Sequence, residues 1–287
     1  MNAFRNHSSW VLSLVIVGIY LFPSLRVSAQ EIQSRTLKYD QRDRSFHYYV
    51  PKGDNPSKPL PVLFCLHGAG GNGKGQMKPF LKLATTHGFL LVGPDGIHQR
   101  WNAGCEDEIE ATGNANDVQF IQHLLETLAD DYRIDRSRVY VYGFSNGAAL
   151  AHRLAVEIPE VITAISAAGA AMATITAESM RPGPPVSIQI MVGDQDAMFG
   201  TNGNLRGGTF HTATETANIW NMYNKSNQSI TVNRPVPFTR WSSSANAAEV
   251  ELWIVAGAGH TPLLSKTFHT AEQSWMFLSR QKKQAGQ

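Results

Sequence analysis

Residues 138–155 read RVYVYGFSNGAALAHRLA, and no other stretch constrains the fold as tightly. The first five alternate between one apolar or aromatic face and the next, as a strand does. The last eight carry apolar side chains at helical spacing. A strand that runs straight into a helix must turn sharply, so the residues at the turn must be small. Gly143 and Gly147 meet that demand. A turn of this kind lifts the hydroxyl of Ser145 above the end of a sheet, at the start of a helix. Gly-x-Ser-x-Gly alone is a weak pattern, and its strand-before, helix-after context makes it specific.

The remaining segments fit the same architecture. RTLKYD and RSFHYYVP flank a turn at QRD and read as antiparallel strands. VLFCLHG is an almost unbroken apolar run, the mark of a strand buried on both faces of a parallel sheet. GFLLVGPDG, VITAISAAGA, PVSIQIMVGDQD and VELWIVAGAGH read as further strands. Between them, NDVQFIQHLLETLADDYR places Val118, Ile121, Leu124, Leu125 and Leu128 on one helical face, with Asp117 expected as its N-cap. Helices are also expected over NGAALAHRLAVEI, around residues 215–227, and over KTFHTAEQSWMFLSRQ. Ile230 to Asn246 reads either as a short hairpin or as a loop. Strand-helix alternation of this kind predicts an α/β fold: a mostly parallel central sheet with helices on both faces. Residues 30–287 are expected to form a single domain.

The N-terminal segment differs. Arg5 and His7 precede an apolar run from Trp10 to Phe22 of about 13 residues, short of the roughly 20 that span a bilayer. Small residues at Ser28 and Ala29, with Val27 at the −3 position, then resemble a cleavage site, so residues 1–29 read as a signal peptide and the product as secreted or periplasmic, without stable membrane insertion. Of 25 Lys and Arg residues two fall in this segment, which leaves 23 against 23 Asp and Glu. That balance, without a basic stripe, excludes a nucleic-acid footprint. The oligomeric state is not legible. Cys65 sits inside an apolar run and reads as a core residue, so a bridge to Cys105 is not expected.

A serine hydroxyl becomes a nucleophile when a base takes its proton. His260 follows the last strong strand, in GAGHT, where Gly257 and Gly259 allow a tight turn. It is the expected base. The acid that orients it should follow an earlier strand, and GDQD supplies Asp194 and Asp196. The spacing of Gly193, two residues, then Asp favours Asp196, which leaves Asp194 to cap the loop. The tetrahedral oxyanion needs N–H donors. One is the amide of Asn146. The other is assigned to Ala69 in the loop HGAGG, with Gly68 as the alternative. That loop resembles a phosphate cradle up to Lys74, but Gly75 stands where a magnesium-binding hydroxyl belongs, so nucleotide binding is rejected. Trp101 either walls the substrate pocket or pins its loop by packing. Met198 and Phe199 are candidate pocket residues, and Trp253 and Trp275 are expected in the core.

Taken together, LHGAGGNG, GPDG followed by RWNAGC, NDVQFI, GFSNGAALAHRLA, GDQD and GAGHT resemble the secreted polyhydroxybutyrate-depolymerase and feruloyl-esterase family of α/β-hydrolases, which is related to carbohydrate esterases. The resemblance runs over roughly residues 35–280. It implies a triad of Ser145, Asp196 and His260 and an oxyanion loop at His67–Gly71, as the residues themselves suggest. Two features depart from the family pattern. AMFGTNGNLRGG follows Asp196 where an aromatic and a proline are common, and Pro262 stands where a tryptophan often follows the histidine. The expected activity is hydrolysis of a small or oligomeric carboxylic ester through an acyl-enzyme, with no metal or organic cofactor. The alternatives are a serine peptidase of the same fold and a non-catalytic binding member.

Overall fold

The computed structural model describes residues 31–51, 58–198, 209–234, 236–260, 264–265 and 268–284. The expected signal peptide lies outside them, as do Phe199, most of the loop that follows it, and Pro262. The strands of the central sheet are β1 (Gln33–Tyr39), β2 (Arg42–Tyr49), β3 (Leu60–Leu66), β4 (Leu90–Pro94), β5 (Ile134–Phe144), β6 (Ala164–Ala168), β7 (Ser187–Gly193), β8 (Gln228–Val232), β9 (Phe238–Ser242) and β10 (Glu249–Val255). They form one 10-stranded sheet in the order β1-β2-β4-β3-β5-β6-β7-β10-β9-β8. From β4 to β10 every neighbouring pair is parallel. Antiparallel strands close both edges. The uncertain segment after Ile230 is thus a hairpin, and it extends the sheet.

The helices are α1 (Gly73–Met77), α2 (Leu81–His87), α3 (Glu106–Thr112), α4 (Asp117–Asp131), α5 (Asn146–Glu157), α6 (Thr174–Glu178), α7 (Ala213–Tyr223) and α8 (Thr270–Leu278). Side chains of β3 alternate between the two faces. Val62, Phe64 and Leu66 join a core with α4, α5 and α7. Leu63 and Cys65 join the other, with Met77, Phe80, Ala84 and the α8 residues Trp275, Phe277 and Leu278. This is why VLFCL carries no polar residue: neither face meets water. Cys105 belongs to the first core, so the sheet separates it from Cys65 and the two are not bridged. Trp275 stacks on Phe89 at 3.9 Å and Trp253 on Phe238 at 4.0 Å, both in the core as expected.

One helix start differs from expectation. Asn116, not Asp117, caps α4, its side chain accepting the Gln119 amide. Asp117 turns inward instead. It meets Arg44 at 2.6 Å with both side chains almost fully buried, and its other oxygen accepts the Asn102 amide. Burial pushes the Asp117 carboxyl up, and Arg44 opposes that push. An interior cation on β2 captured the acid, which local capping statistics do not anticipate.

His152 lies on α5 and is fully buried against α7. Trp220 can only donate, so its Nε1–H fixes His152 Nδ1 as an acceptor at 3.2 Å and places the imidazole proton on Nε2. Among the described residues, Nε2 has no hydrogen-bond partner. Burial accordingly lowers the pKa of His152 from 6.5 to about 3. The unfolded chain takes up a proton near its ordinary value while the folded chain resists it. The stability tied to neutral His152 is therefore complete above pH 6.5 and drains away as pH falls towards about 3. We expect His152→Gln to flatten this acid limb by about 1.4 kcal/mol per pH unit relative to the parent protein. Denaturant unfolding across that pH range checks it, and parallel curves for the two proteins would refute it.

Candidate active site

The site is built where β5 ends and α5 begins. Ser145 occupies the turn with φ 52° and ψ −120°, a strained backbone for a residue with a side chain. Its amide donates to Ala168 O at the end of β6 (2.9 Å), and its carbonyl accepts from Ala148 and Ala149 in the first turn of α5. The flanking glycines are sterically required. A Cβ at Gly143 would lie 2.2 Å from Gly147 O, and one at Gly147 would lie 2.4 Å from Leu66 O. The turn is pressed between the ends of its neighbours, and the hydroxyl points out of the sheet.

Ser145, Asp196 and His260 come together although they are far apart in the chain. Ser145 Oγ lies 3.0 Å from His260 Nε2, and His260 Nδ1 lies 3.0 Å from Asp196 Oδ2. The Asp196 side chain is fully buried, while His260 is about a quarter exposed. Asp196 Oδ1 accepts the Met198 amide at 2.8 Å, so the carboxylate is held at both oxygens. His260 also packs against Phe144 at 5.4 Å between ring centres. Asp194 takes the other role expected of the pair, its Oδ1 accepting the Gly257 amide at 2.7 Å and so tying the loop after β7 to the loop that carries His260.

The loop after β3 lies against the serine. A Cβ at Gly68 would fall 3.3 Å from Ser145 Cβ. Within it, the Gly70 amide bonds Gln99 O and the Gly71 amide bonds Gly68 O. These two amides are thereby removed as donors to a substrate. Asn146 is the first residue of α5, where N–H groups have no acceptor inside the helix. The turn that receives Gly70 is itself strained, with His98 at φ 50° and Gln99 at φ 59°.

His67 anchors this loop. The Gly96 amide donates to its Nε2 at 3.0 Å, so the proton sits on Nδ1 and donates to Gly68 O at 2.8 Å. Burial lowers its pKa and keeps the ring neutral. Trp101 is buried beside it, 4.9 Å between ring centres, with Nε1–H donating to His67 O. Trp101 is thus fully buried and pins the loop by packing, one of its two expected roles. Met198 is 44% exposed at the site's rim.

Sequence reasoning missed Glu108. It is buried on α3, where its Oε1 accepts Asn146 Nδ2 at 2.8 Å and its Oε2 accepts the Ala103 amide at 3.0 Å. Burial raises its pKa, and these hydrogen bonds counter the rise. Glu108 is one of several acids in CEDEIE, and nothing in that pattern marks which one turns inward. Among the described residues, no group of three or more His, Cys, Asp and Glu side chains converges as a metal site.

Residues 44–186 match the family described as Esterase PHB depolymerase. Through them the chain belongs to that family. The matched span includes the loop at 67–71, Glu108, Ser145 and Asn146. Feruloyl esterase C of Emericella nidulans is 29% identical over 119 residues, 39% of this chain and 41% of that protein. The chain spans less than half the length of the curated relatives it matches. An acetyl xylan esterase from Aspergillus awamori superposes with a TM-score of 0.64 at 16% identity, over 86% of this chain and 99% of that one. A ferulic acid esterase from Anaeromyces mucronatus, solved with ferulic acid, gives 0.59 at 15% identity, over 88% and 90%. These likenesses identify the α/β-hydrolase fold.

The crowding at the turn makes a direct prediction. Gly147→Ala drives a methyl group into two backbone carbonyls and is expected to cost about 3 kcal/mol of stability. Thermal melting would read this as a clear drop in Tm. A variant melting at the parental temperature would overturn the steric account.

Proposed function

We propose that the chain is a serine esterase that hydrolyses carboxylic esters through an acyl-enzyme, with feruloyl, acetyl or hydroxyalkanoate esters as its substrate class. The observation that carries this reading is the unbroken hydrogen-bonded line from Ser145 Oγ through His260 to Asp196, with 3.0 Å at each step. The family match and the esterases among its relatives support the substrate class.

Ser145 Oγ attacks the ester carbonyl while His260 Nε2 accepts its proton. Asp196 holds Nδ1–H, which fixes the tautomer and stabilises the imidazolium as it forms. The amides of Asn146 and Ala69 receive the oxyanion. Collapse expels the alcohol, protonated by His260, and leaves the acyl group on Ser145. A water molecule deprotonated by His260 then attacks the acyl carbonyl, and the acid leaves as Ser145 recovers its proton. Exposure of His260 to solvent suits it to activate that water. With residues 1–29 read as a leader, the enzyme acts outside the cytoplasm.

Ser145→Ala is expected to lower kcat on p-nitrophenyl acetate by at least about 10⁴-fold and to abolish labelling by a fluorophosphonate probe, with Tm close to that of the parent. A folded variant that retained most of its activity would remove Ser145 from the mechanism. Ranking p-nitrophenyl, feruloyl, acetyl and hydroxybutyrate esters by kcat/KM, beside a matched amide, then fixes the substrate class.

A further inference from the structure

Glu108 is 3% exposed, and its hydrogen bonds come from neutral N–H groups. Among the described residues no cation pairs with it; a buried carboxylate in that position is costly, and for packing alone a neutral side chain of that size would serve better. What a carboxylate offers here is that it only accepts. A carboxamide would turn its NH₂ towards one of the N–H donors that face it.

The consequence runs through Asn146. Because Glu108 accepts and cannot donate, Asn146 must direct Nδ2 towards it. Asn146 Oδ1 is then left to accept the Trp101 amide at 2.7 Å, while Nδ2 also donates to Trp101 O at 3.0 Å. The Asn146 carboxamide thus grips both backbone groups of Trp101, as a neighbouring strand would. Trp101 Nε1–H donates to His67 O (2.9 Å), and His67 Nδ1–H donates to Gly68 O (2.8 Å), next to Ala69. One path of hydrogen bonds therefore runs from Asn146 to the carbonyl of the peptide unit whose N–H is the Ala69 amide, and Glu108 stands at its head.

We propose that Glu108 is a positioning residue for the oxyanion site, setting the separation of the Asn146 and Ala69 amides through the Asn146 side chain, Trp101 and His67. The proposal rests on the esterase reading above. Glu108 touches no reacting atom. It acts by holding apart two donors whose misplacement by about 1 Å costs on the order of 100-fold in rate.

The test compares Glu108→Gln with the parent protein on p-nitrophenyl acetate, with phenylboronic acid as a probe that forms a tetrahedral anion on the serine. Loss of donor placement weakens the tetrahedral state and leaves ground-state binding alone. We expect kcat to fall about 10- to 100-fold, KM to stay within about threefold, and phenylboronic acid affinity to fall in step with kcat. Asp117→Asn loosens the same loop at Asn102 without touching Asn146, so it reports what loop destabilisation alone does; its Tm should fall while its kcat falls less than that of Glu108→Gln. If Glu108→Gln does not fold, Asn146→Ala cuts the same link from the helix side and should give the same pattern. Parental kcat and boronate affinity in a folded variant, or losses matched by Asp117→Asn, would make Glu108 a purely structural acid. If the parent protein itself fails to hydrolyse esters or to take the boronate, the esterase reading is what falls.

Discussion

At residue 145 the chain holds a backbone conformation that an isolated serine avoids, and the surrounding structure is arranged to keep it there. The Ser145 amide is tied to the end of β6, its carbonyl is tied into α5, and the two glycines around it let β3 and α5 close to backbone contact. The tie to β6 and the contact with β3 are not local. They exist only when β3, β5 and β6 lie side by side in parallel register, so the strained turn depends on the whole central sheet. The sheet in turn owes its order to runs such as VLFCL, which have no face that tolerates water.

From that fixed point the site extends in two directions. Towards β7 and β10, the cross-tie from Asp194 to Gly257 holds together the two loops that carry Asp196 and His260. Towards β3 and β4, the packing is polar and buried: His67, Trp101, Asn146, Glu108, Asp117 and Arg44 form an interior layer of hydrogen bonds under the loops. Such a layer stabilises only when its members are satisfied together, and it holds loops in one arrangement more tightly than apolar packing would.

Much of this was legible in the amino-acid order, for identifiable reasons. Unbroken apolar runs marked the central strands because burial on both faces leaves no other composition. The serine turn was legible because its glycines are demanded by backbone contacts that any such turn makes. His260 and Asp196 were placed by following strand ends. What escaped was set by long-range partners. Asp117 looked like a helix cap until Arg44, 73 positions earlier, drew it inward. Trp101 could not be assigned between pocket and packing because its partner is a carbonyl on another strand's loop. The short helices α1, α2, α3 and α6 escaped because a turn or two of helix carries too few residues to show a period.

The placement of the two cysteines has a bearing on how the chain matures. Cys65 and Cys105 lie in cores on opposite faces of the sheet, shielded from each other by the backbone between them. No covalent cross-link contributes to the fold, so assembly requires no oxidising partner and no thiol isomerase. Reducing agents therefore have no disulfide in it to break.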